Sequence, residues 1–292
     1  MKKKDNILQL SLNSFLIFLS VLTLFPFVLM VSVSFSNESD ILINGYSILP
    51  RIFDIAAYRY IFRNPMQLLN AYKVTTIFSF AAMVLSTLLM AVLAYSLTKK
   101  ELRFRKQISF AIYFTMLFSG GLVPSYILIT QYLHLNDTLW VYILPGMISP
   151  WYVFMMRTFF ADLPSEIEEA AYIDGASHFQ IFFKIVIPLS KPVFATVAMF
   201  TFLLKWNSWF ESMIYINRRT DLYSLQYLLQ VIMKNIELLK QETGMAMQLM
   251  DEIPSDTVKM AMAVLVAGPA LFVFPFFQKY FVKGLTVGSV KG

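Results

Sequence analysis

The sequence contains no cysteine, only two histidines and few charged residues, and each of these shortages excludes a class of site. Without cysteine the chain can form no disulfide, no thiolate nucleophile and no cysteine-ligated metal site. The two histidines, His134 and His178, stand in separate polar segments, which argues against a histidine-built metal site. Charged residues make up 14% of the chain, whereas a soluble domain carries about a quarter. We therefore predict no catalytic residue, metal or cofactor in this chain.

Apolar residues are abundant instead, at 58% of the 292 residues, and they fall into runs long enough to cross a bilayer. We predict an all-α membrane protein with six transmembrane helices, in which one membrane domain, 1–292, accounts for the whole chain. The predicted spans are residues 10–33, 74–97, 108–132, 139–160, 193–214 and 260–281. Pro26, inside the first span, is expected to kink it.

The basic residues predict how the chain is oriented in the membrane. The formal net charge is +6, but the lysines and arginines are scattered at the ends of apolar runs, which argues against a nucleic-acid partner. Residues 99–106 hold five basic residues in eight and mark a cytoplasmic turn, whereas 134–137 holds none and fits the outside. We therefore place both termini in the cytoplasm and the long polar segment 215–259 outside it.

Residues 161–191 form a polar loop between two spans. Pro164 and the serine after it are suited to open a short helix, and Asp174 with Gly175 to close it. Ser177 can cap a second helix, which we expect to stop before Pro188. Two short helices joined by a glycine turn, displayed to water, indicate a docking element.

The same stretch carries the spacing E-A-A-x3-G-x9-I-x-L-P, with Ile187 in place of the leucine. It resembles the EAA loop, or coupling helix, of type I ABC importer permeases, which sits in a cleft of a cytoplasmic ATPase subunit. The resemblance implies that Glu169 bonds to groups of that cleft and that Gly175 adopts the turn geometry. The residues implied in ATPase coupling are Glu168, Glu169, Ala170, Ala171, Tyr172, Asp174, Gly175, Ile185 and Pro188.

The fifth predicted span carries polar and aromatic residues at membrane depth, where such groups usually face a cavity or a partner. Its Trp-Asn pair resembles a pattern of maltose-type sugar permeases close to the translocation path. Aromatic faces stack on sugar rings, and amides and carboxylates bond hydroxyls. The candidate pathway residues are Trp206, Asn207, Trp209 and Glu211. The alternative is that the tryptophans belong to an interfacial aromatic belt.

Residues 222–240 place apolar side chains at helical spacing and predict an amphipathic helix. In maltose-type permeases the corresponding loop reaches into the docked binding protein. A helix that lies against the lipid interface fits the pattern equally well.

The resemblance implies the permease subunit of a bacterial importer that moves carbohydrate, in particular oligosaccharide, across the cell membrane. The implied partners are a homologous second permease, a solute-binding protein and an ATPase dimer that binds ATP and Mg²⁺. A permease for a non-sugar solute and an ion-gradient-driven transporter are the alternatives, as is a membrane-embedded enzyme, although no catalytic motif supports one.

Overall fold

The protein is described by a computed structural model that covers residues 2–242 and 255–288. Over these residues it is almost entirely helical and contains no strand, only an isolated bridge between Ser36 and Phe53. The helices up to the middle of the chain are α1 (Lys2–Ser34), α2 (Glu38–Asn44), α3 (Ala56–Ile61), α4 (Pro65–Ser96), α5 (Arg105–Leu117), α6 (Leu122–Ile127), α7 (Trp140–Ile143) and α8 (Pro150–Ala161).

The later helices are α9 (Ser165–Ile173), α10 (His178–Ile181), α11 (Ile187–Leu189), α12 (Lys191–Trp206), α13 (Phe210–Tyr215), α14 (Leu225–Glu242) and α15 (Ser255–Gly288). Two π-helical segments, Leu128–Tyr132 after α6 and Phe182–Val186 after α10, and a 3₁₀ turn, Thr220–Leu222, complete the secondary structure of the described residues.

Among the described residues, three stretches of helix are long and apolar enough to cross a membrane: Gln9–Ser34, Pro65–Ser96 and Ser255–Gln278. Two bent pairs would each supply one more span. The chain bends by 117° between Arg105–Leu117 and Leu122–Tyr132, and by 83° between His178–Leu189 and Lys191–Trp206. The all-α, apolar character is confirmed, while the number of six spans stays a prediction because the fourth, 139–160, is divided into α7 and α8.

The second span helix begins earlier than predicted. The predicted span starts at residue 74, but residues 65–72 already form the first turns of α4, which starts at Pro65. Proline suits the first helical position, because it lacks an N–H that would have no partner there. Gln67 and Asn70 are polar, but neither residue stops a helix.

The third and fourth predicted spans are each interrupted. Gly121, at φ 85°, separates α5 from α6, and Gly146, at φ 70°, lies between α7 and α8. A side chain with a Cβ rarely adopts this left-handed geometry, so glycine is needed at both points. The sequence Ser149-Pro150 then starts α8, with the proline in the first turn.

The chain divides into two compact units. One contains Met1–Leu68 and Leu228–Pro269, and the other contains Leu69–Tyr227 and Ala270–Gly292. In the second unit, one apolar cluster surrounds Met90, Met156 and Ile181, all buried. A second cluster is centred on Phe78 and Tyr142, whose rings stack with centroids 4.2 Å apart. Whether residues 1–292 form one domain stays a prediction.

Within the first unit, the carboxylate of Glu38 caps the amino-terminal end of α15. One oxygen accepts hydrogen bonds from the Ser255 N–H at 3.0 Å, the Ser255 hydroxyl at 3.1 Å and the Asp256 N–H at 2.8 Å. The other accepts from the N–H and the hydroxyl of Thr257, at 2.9 and 2.8 Å. Glu38 is buried, 7% exposed. The first turn of α15 is thereby fixed to α2.

The amphipathic helix predicted in the outer segment is α14, and its apolar face is buried. Leu225, Leu228 and Ile236 are almost inaccessible, whereas Gln230 and Lys234 are exposed. Residues 243–254 of the predicted loop 215–259 lie outside the described residues, as do residues 289–292 of the carboxyl-terminal tail.

The turn between α6 and α7 is held by a single carboxylate. Asp137 accepts hydrogen bonds from the backbone N–H groups of Asn217, Arg218 and Arg219, at 2.9 to 3.1 Å. Partial desolvation acts to raise the pKa of the Asp137 carboxyl, but the three N–H donors outweigh it and the pKa lies below its ordinary value. This turn is therefore tied to the segment that follows α13.

Candidate functional site

The loop between α8 and α12 has the two-helix structure that the sequence predicts. Pro164 precedes α9, and Asp174 ends it. Gly175 follows at φ 79°, a left-handed geometry that suits glycine at the end of a helix. Ser177 then caps α10 with a full capping box, in which the serine side chain and the Gln180 side chain each accept from the other's backbone N–H.

The second helix of this loop does not stop before Pro188, so that prediction was wrong. Helical backbone continues from His178 through the π segment Phe182–Val186 and ends after Leu189. A proline inside a helix lacks one N–H, and its ring crowds the carbonyl four residues earlier. The wider π turn just before Pro188 gives the ring room, so the helical path ends at Ser190 instead.

One side of this loop is anchored in the apolar core. Ile181, Phe182 and Val186 are buried in the cluster around Met90, and Ala171 and Ile185 pack against that cluster. The backbone of Ala176 donates to the carbonyl of Ala171 at 2.9 Å and closes the turn between α9 and α10.

The other side of the loop is exposed. Among the predicted coupling residues, the exposed ones are Glu169, Ala170, Tyr172, Asp174, Gly175 and Pro188. Two apolar side chains lie beside them in the open: Ile173 is 87% exposed and Phe179 is 71% exposed. The loop is thus buried on one side, at Ile181, Phe182 and Val186, and has an exposed apolar tip, formed by Ile173 and Phe179. Exposed apolar side chains on an anchored loop are typical of a docking surface.

Two polar contacts inside the loop region are not evident from the sequence. Glu168 forms an ion pair with Lys99, whose ammonium also lies 4.3 Å from the centroid of the Tyr95 ring. The Tyr172 hydroxyl contacts the ring nitrogen Nδ1 of His178. Partial desolvation raises the pKa of the Tyr172 phenol. Lys99 and Glu168 lie 69 residues apart, so no local sequence pattern predicts that they form an ion pair.

The first two candidate pathway residues lie where α12 ends. Trp206 is buried, 3% exposed, and its ring stacks on Phe202 at 5.6 Å. Asn207 is exposed; its amide donates to the carbonyl of Leu203 at 2.8 Å and accepts from the Gln226 side chain at 3.0 Å. Asn207 therefore connects the end of α12 to the start of α14.

The other two candidates lie on the far side of the break between α12 and α13. Trp209 is 38% exposed and packs edge-on against Phe210 at 5.8 Å. Glu211 stands in the first turn of α13, and its Oε2 accepts a hydrogen bond from the hydroxyl of Ser208, which is buried. The structure does not bring Trp206 and Glu211 to a common surface, and the pathway role of all four residues stays a prediction.

A buried lysine next to these residues was not singled out from the sequence as functional. Lys205 is 3% exposed, and its ammonium donates to the carbonyls of Tyr142 at 2.6 Å and Pro145 at 3.0 Å. These carbonyls belong to the end of α7 and the break after it, where helix geometry leaves them without an intrahelical donor. Lys205 thereby holds α12 against the broken fourth span.

A cavity of about 700 Å³ opens beside this region. Its walls come from α6, the segment after α7, and α13, and they include Ser119, Gly146, Glu211 and Tyr215. Cavities of several hundred Å³ are typical of small-molecule sites. Of the four pathway candidates, Glu211 is the one that lines it.

Residues 70–287 match the model of one protein family, described as binding-protein-dependent transport system inner membrane component. The chain is also similar along its whole length to curated proteins. It is 35% identical over 295 residues to the polygalacturonan/rhamnogalacturonan transport system permease protein YtcP of Bacillus subtilis, a match that covers 99% of this chain and 100% of that protein. It is 28% identical over 297 residues to the arabinooligosaccharides transport system permease protein AraQ of Halalkalibacterium halodurans, with full coverage of both.

A solved structure shows the same fold. It is the crystal structure of a bacterial ABC transporter involved in the import of the acidic polysaccharide alginate, one chain of which superposes with a TM-score of 0.79. The two sequences are 28% identical, and the match covers 95% of this chain and 98% of that one.

Proposed function

The chain belongs to the family of inner membrane components of binding-protein-dependent transport systems, and on that premise we propose that it is the permease subunit of an ATP-driven carbohydrate importer. The observation that carries the proposal is the exposed loop α9–Gly175–α10 on an otherwise apolar helical chain with the fold of an ABC importer permease. The sequence contains no ATP-binding motif, so an ATP-driven membrane subunit of this kind needs an exposed element through which a separate ATPase can drive its movement.

The proposed arrangement in the membrane keeps the sequence-based topology. Six spans cross the cell membrane of a bacterium, with the fourth span interrupted at Gly146, and both termini lie in the cytoplasm. Residues 161–191 form the cytoplasmic coupling loop, and 215–259 form the extracytoplasmic loop of a single membrane domain, 1–292. The concentration of basic residues in 99–106 and their absence from 134–137 support this orientation.

In the proposed mechanism, the coupling loop transmits the closure of an ATPase dimer to the spans. Glu169 bonds to groups of the ATPase cleft, and Ala170 lets the two proteins approach closely. Ile173 and Phe179 fill apolar pockets of the partner, which removes both side chains from water. Because Ile181 and Phe182 root the loop in the core around Met90, a displacement of the exposed tip moves the spans themselves.

The proposed complex contains a second, homologous permease, an ATPase dimer that binds ATP and Mg²⁺, and an extracytoplasmic solute-binding protein. This chain contributes no catalytic residue. Helix α14 is the part of the outer loop proposed to meet the binding protein, and a position against the lipid interface is the competing arrangement. The names of the relatives support carbohydrate as the cargo, since they specify arabinooligosaccharides and polygalacturonan. Trp206, Asn207, Trp209 and Glu211 remain the proposed pathway residues.

The experiment that tests the coupling role uses Glu169→Lys and Gly175→Asp in the complete transporter. A lysine reverses the charge offered to the cleft, and an aspartate at φ 79° strains the turn between α9 and α10. We expect both variants to assemble and to lose most of the substrate-stimulated ATP hydrolysis and uptake.

Glu166→Lys is the matched control, because Glu166 is also exposed on α9 but lies outside the motif. It should retain most of the uptake. If Glu169→Lys and Gly175→Asp transport and hydrolyse ATP like the control, the loop does not couple the two processes and this assignment fails.

A further inference from the structure

Three helix breaks meet at the cavity beside Glu211. The first separates α5 from α6, the second separates α7 from α8, and the third separates α12 from α13. Ser119 and Gly121 come from the first break, and Pro145 and Gly146 come from the second. Glu211 follows the third directly. Broken helices inside apolar spans are tolerated where they line a cavity, and they form the substrate sites of many transporters.

One oxygen of the Glu211 carboxylate is engaged by a neighbouring side chain, and the other oxygen is available to accept a hydrogen bond from a ligand. Its Oε2 accepts the hydroxyl hydrogen of Ser208, and Ser208 is itself buried, 8% exposed. Among the residues that the structure describes, no group donates a hydrogen bond to Oε1. A fixed carboxylate oxygen at a cavity wall is a strong acceptor for a hydroxyl group.

No lysine or arginine lines this cavity within the described part of the chain. Lys205 lies close by, since the carbonyl of Pro145, a lining residue, accepts one of its hydrogen bonds. Its ammonium is directed to the carbonyls of Pro145 and Tyr142, however, and the side chain is 3% exposed. The cavity surface therefore carries an anionic hydrogen-bond acceptor, Glu211, while the nearby ammonium of Lys205 interacts with Glu211 electrostatically but is buried and already engaged by two carbonyls.

One wall of the cavity is aromatic. Phe210, which is 37% exposed, lines it together with Tyr215, which is 4% exposed and stacks on Tyr126, the ring centroids being 5.9 Å apart. Ser119, in the break before α6, and Ser125, on α6, add hydroxyl groups. An aromatic wall with a few polar groups is the usual composition of a site that holds a small ligand by stacking and hydrogen bonds.

We propose that this cavity is a subsite for one ring of a neutral sugar and that Glu211 discriminates against uronic acids there. Hydroxyl groups of a neutral ring can donate to Oε1 of Glu211, whereas the carboxylate of a uronic acid cannot donate and is repelled. The inference rests on the proposed carbohydrate transport. The relatives' names do not decide the charge of the cargo, since they include neutral arabinooligosaccharides and acidic polygalacturonan and alginate.

Because the chain has no cysteine, a single introduced thiol can report on the cavity in the complete transporter. Ser125→Cys places the thiol on the lining, and Thr220→Cys, on an exposed 3₁₀ turn, is the control. The transporter is trapped outward-facing, and the rate of maleimide labelling is measured with a neutral trisaccharide or a uronic-acid trisaccharide. The same measurement is repeated with Glu211→Gln added, and with Glu101→Gln as the charge-matched control at an exposed position.

We expect the neutral sugar to slow labelling at Ser125→Cys at a concentration about tenfold below that of the uronic sugar. Glu211→Gln should remove this difference, and Glu101→Gln should keep it. Equal protection by both sugars without the glutamine substitution, protection by neither, or no labelling at all would overturn the proposal. ATP-dependent uptake by the same transporter is measured in parallel: uptake of sugar without protection rejects the subsite alone, whereas absence of any sugar uptake rejects carbohydrate import itself.

Discussion

At the scale of single residues, Glu38 shows how one carboxylate can fix the end of a span. Its two oxygens satisfy three backbone N–H groups at the start of α15 and two hydroxyls, and the helix dipole favours negative charge at that position. No sequence pattern marks this residue, because Glu38 and Ser255 lie 217 positions apart. A lone acidic residue in a polar loop reads as ordinary surface charge.

Glu38→Gln should lower the stability of the purified protein. An amide can accept at one atom only, so the donors of Asp256 or of Thr257 lose the carboxylate oxygen that accepts from them. We expect the free energy of unfolding to fall by about 2 kcal/mol and the melting temperature to fall by about 5 °C. Thermal unfolding of the protein in detergent measures the change. Glu237→Gln, at an exposed position of α14, is the control, and equal melting temperatures for the two variants would contradict the capping role.

At the scale of elements, glycine interrupts a predicted span only where the backbone adopts the positive φ that glycine allows. Gly121 and Gly146 have positive φ and break their spans. Gly268-Pro269 is a comparable signal in the sequence, yet α15 continues through it. Whether such a pair breaks a helix depends on the packing around it, which the sequence does not state.

The coupling loop was predicted more fully than the pathway, because its structure is local. A proline, a glycine turn and a capping serine lie within fourteen residues, and each acts on its immediate neighbours. The end of α11 was missed because the π segment before Pro188 has no sequence signature. The cavity was missed as well, since it forms from three segments that lie far apart in the chain.

The ion pair between Lys99 and Glu168 predicts a charge-exchange result for the coupling loop. Both side chains are mostly buried, at 17% and 20% exposure, so a reversed partner is costly to accommodate. Lys99→Glu and Glu168→Lys should each lower substrate-stimulated ATP hydrolysis several-fold, and the double variant should recover most of it. A double-mutant cycle should give a coupling of about 1 kcal/mol.

Lys100→Glu provides the control for that experiment, because Lys100 is the exposed neighbour of Lys99. It should change the activity little. Additive losses in the double variant would show that Lys99 and Glu168 act independently.

At the scale of the whole molecule, composition determines the class of protein but not the number of crossings. The apolar fraction of 58% is enough to predict a membrane protein. In the part of the chain that the structure describes, three helices qualify as spans outright and two bent pairs of helices would each add one, while 139–160 is too interrupted to qualify by length. The six-span topology therefore depends on the fourth span crossing in two pieces.

Single cysteines introduced into this cysteine-free chain test that topology. Ser165→Cys lies at the start of α9 and Thr220→Cys lies beyond α13, and both positions are exposed. A membrane-impermeant maleimide added from outside should label Thr220→Cys and leave Ser165→Cys unlabelled until the membrane is opened. If 139–160 does not cross, the two positions exchange sides and the labelling pattern is reversed.

The exposed tip of the coupling loop also has a consequence for the life of the protein in a cell. Ile173 and Phe179 stay in water unless another protein covers them. A copy synthesised in excess of the ATPase would present this apolar pair to chaperones and proteases, which act on such surfaces. We therefore expect the half-life of the chain to follow the supply of its ATPase, so that these two side chains help to match the stoichiometry of the subunits.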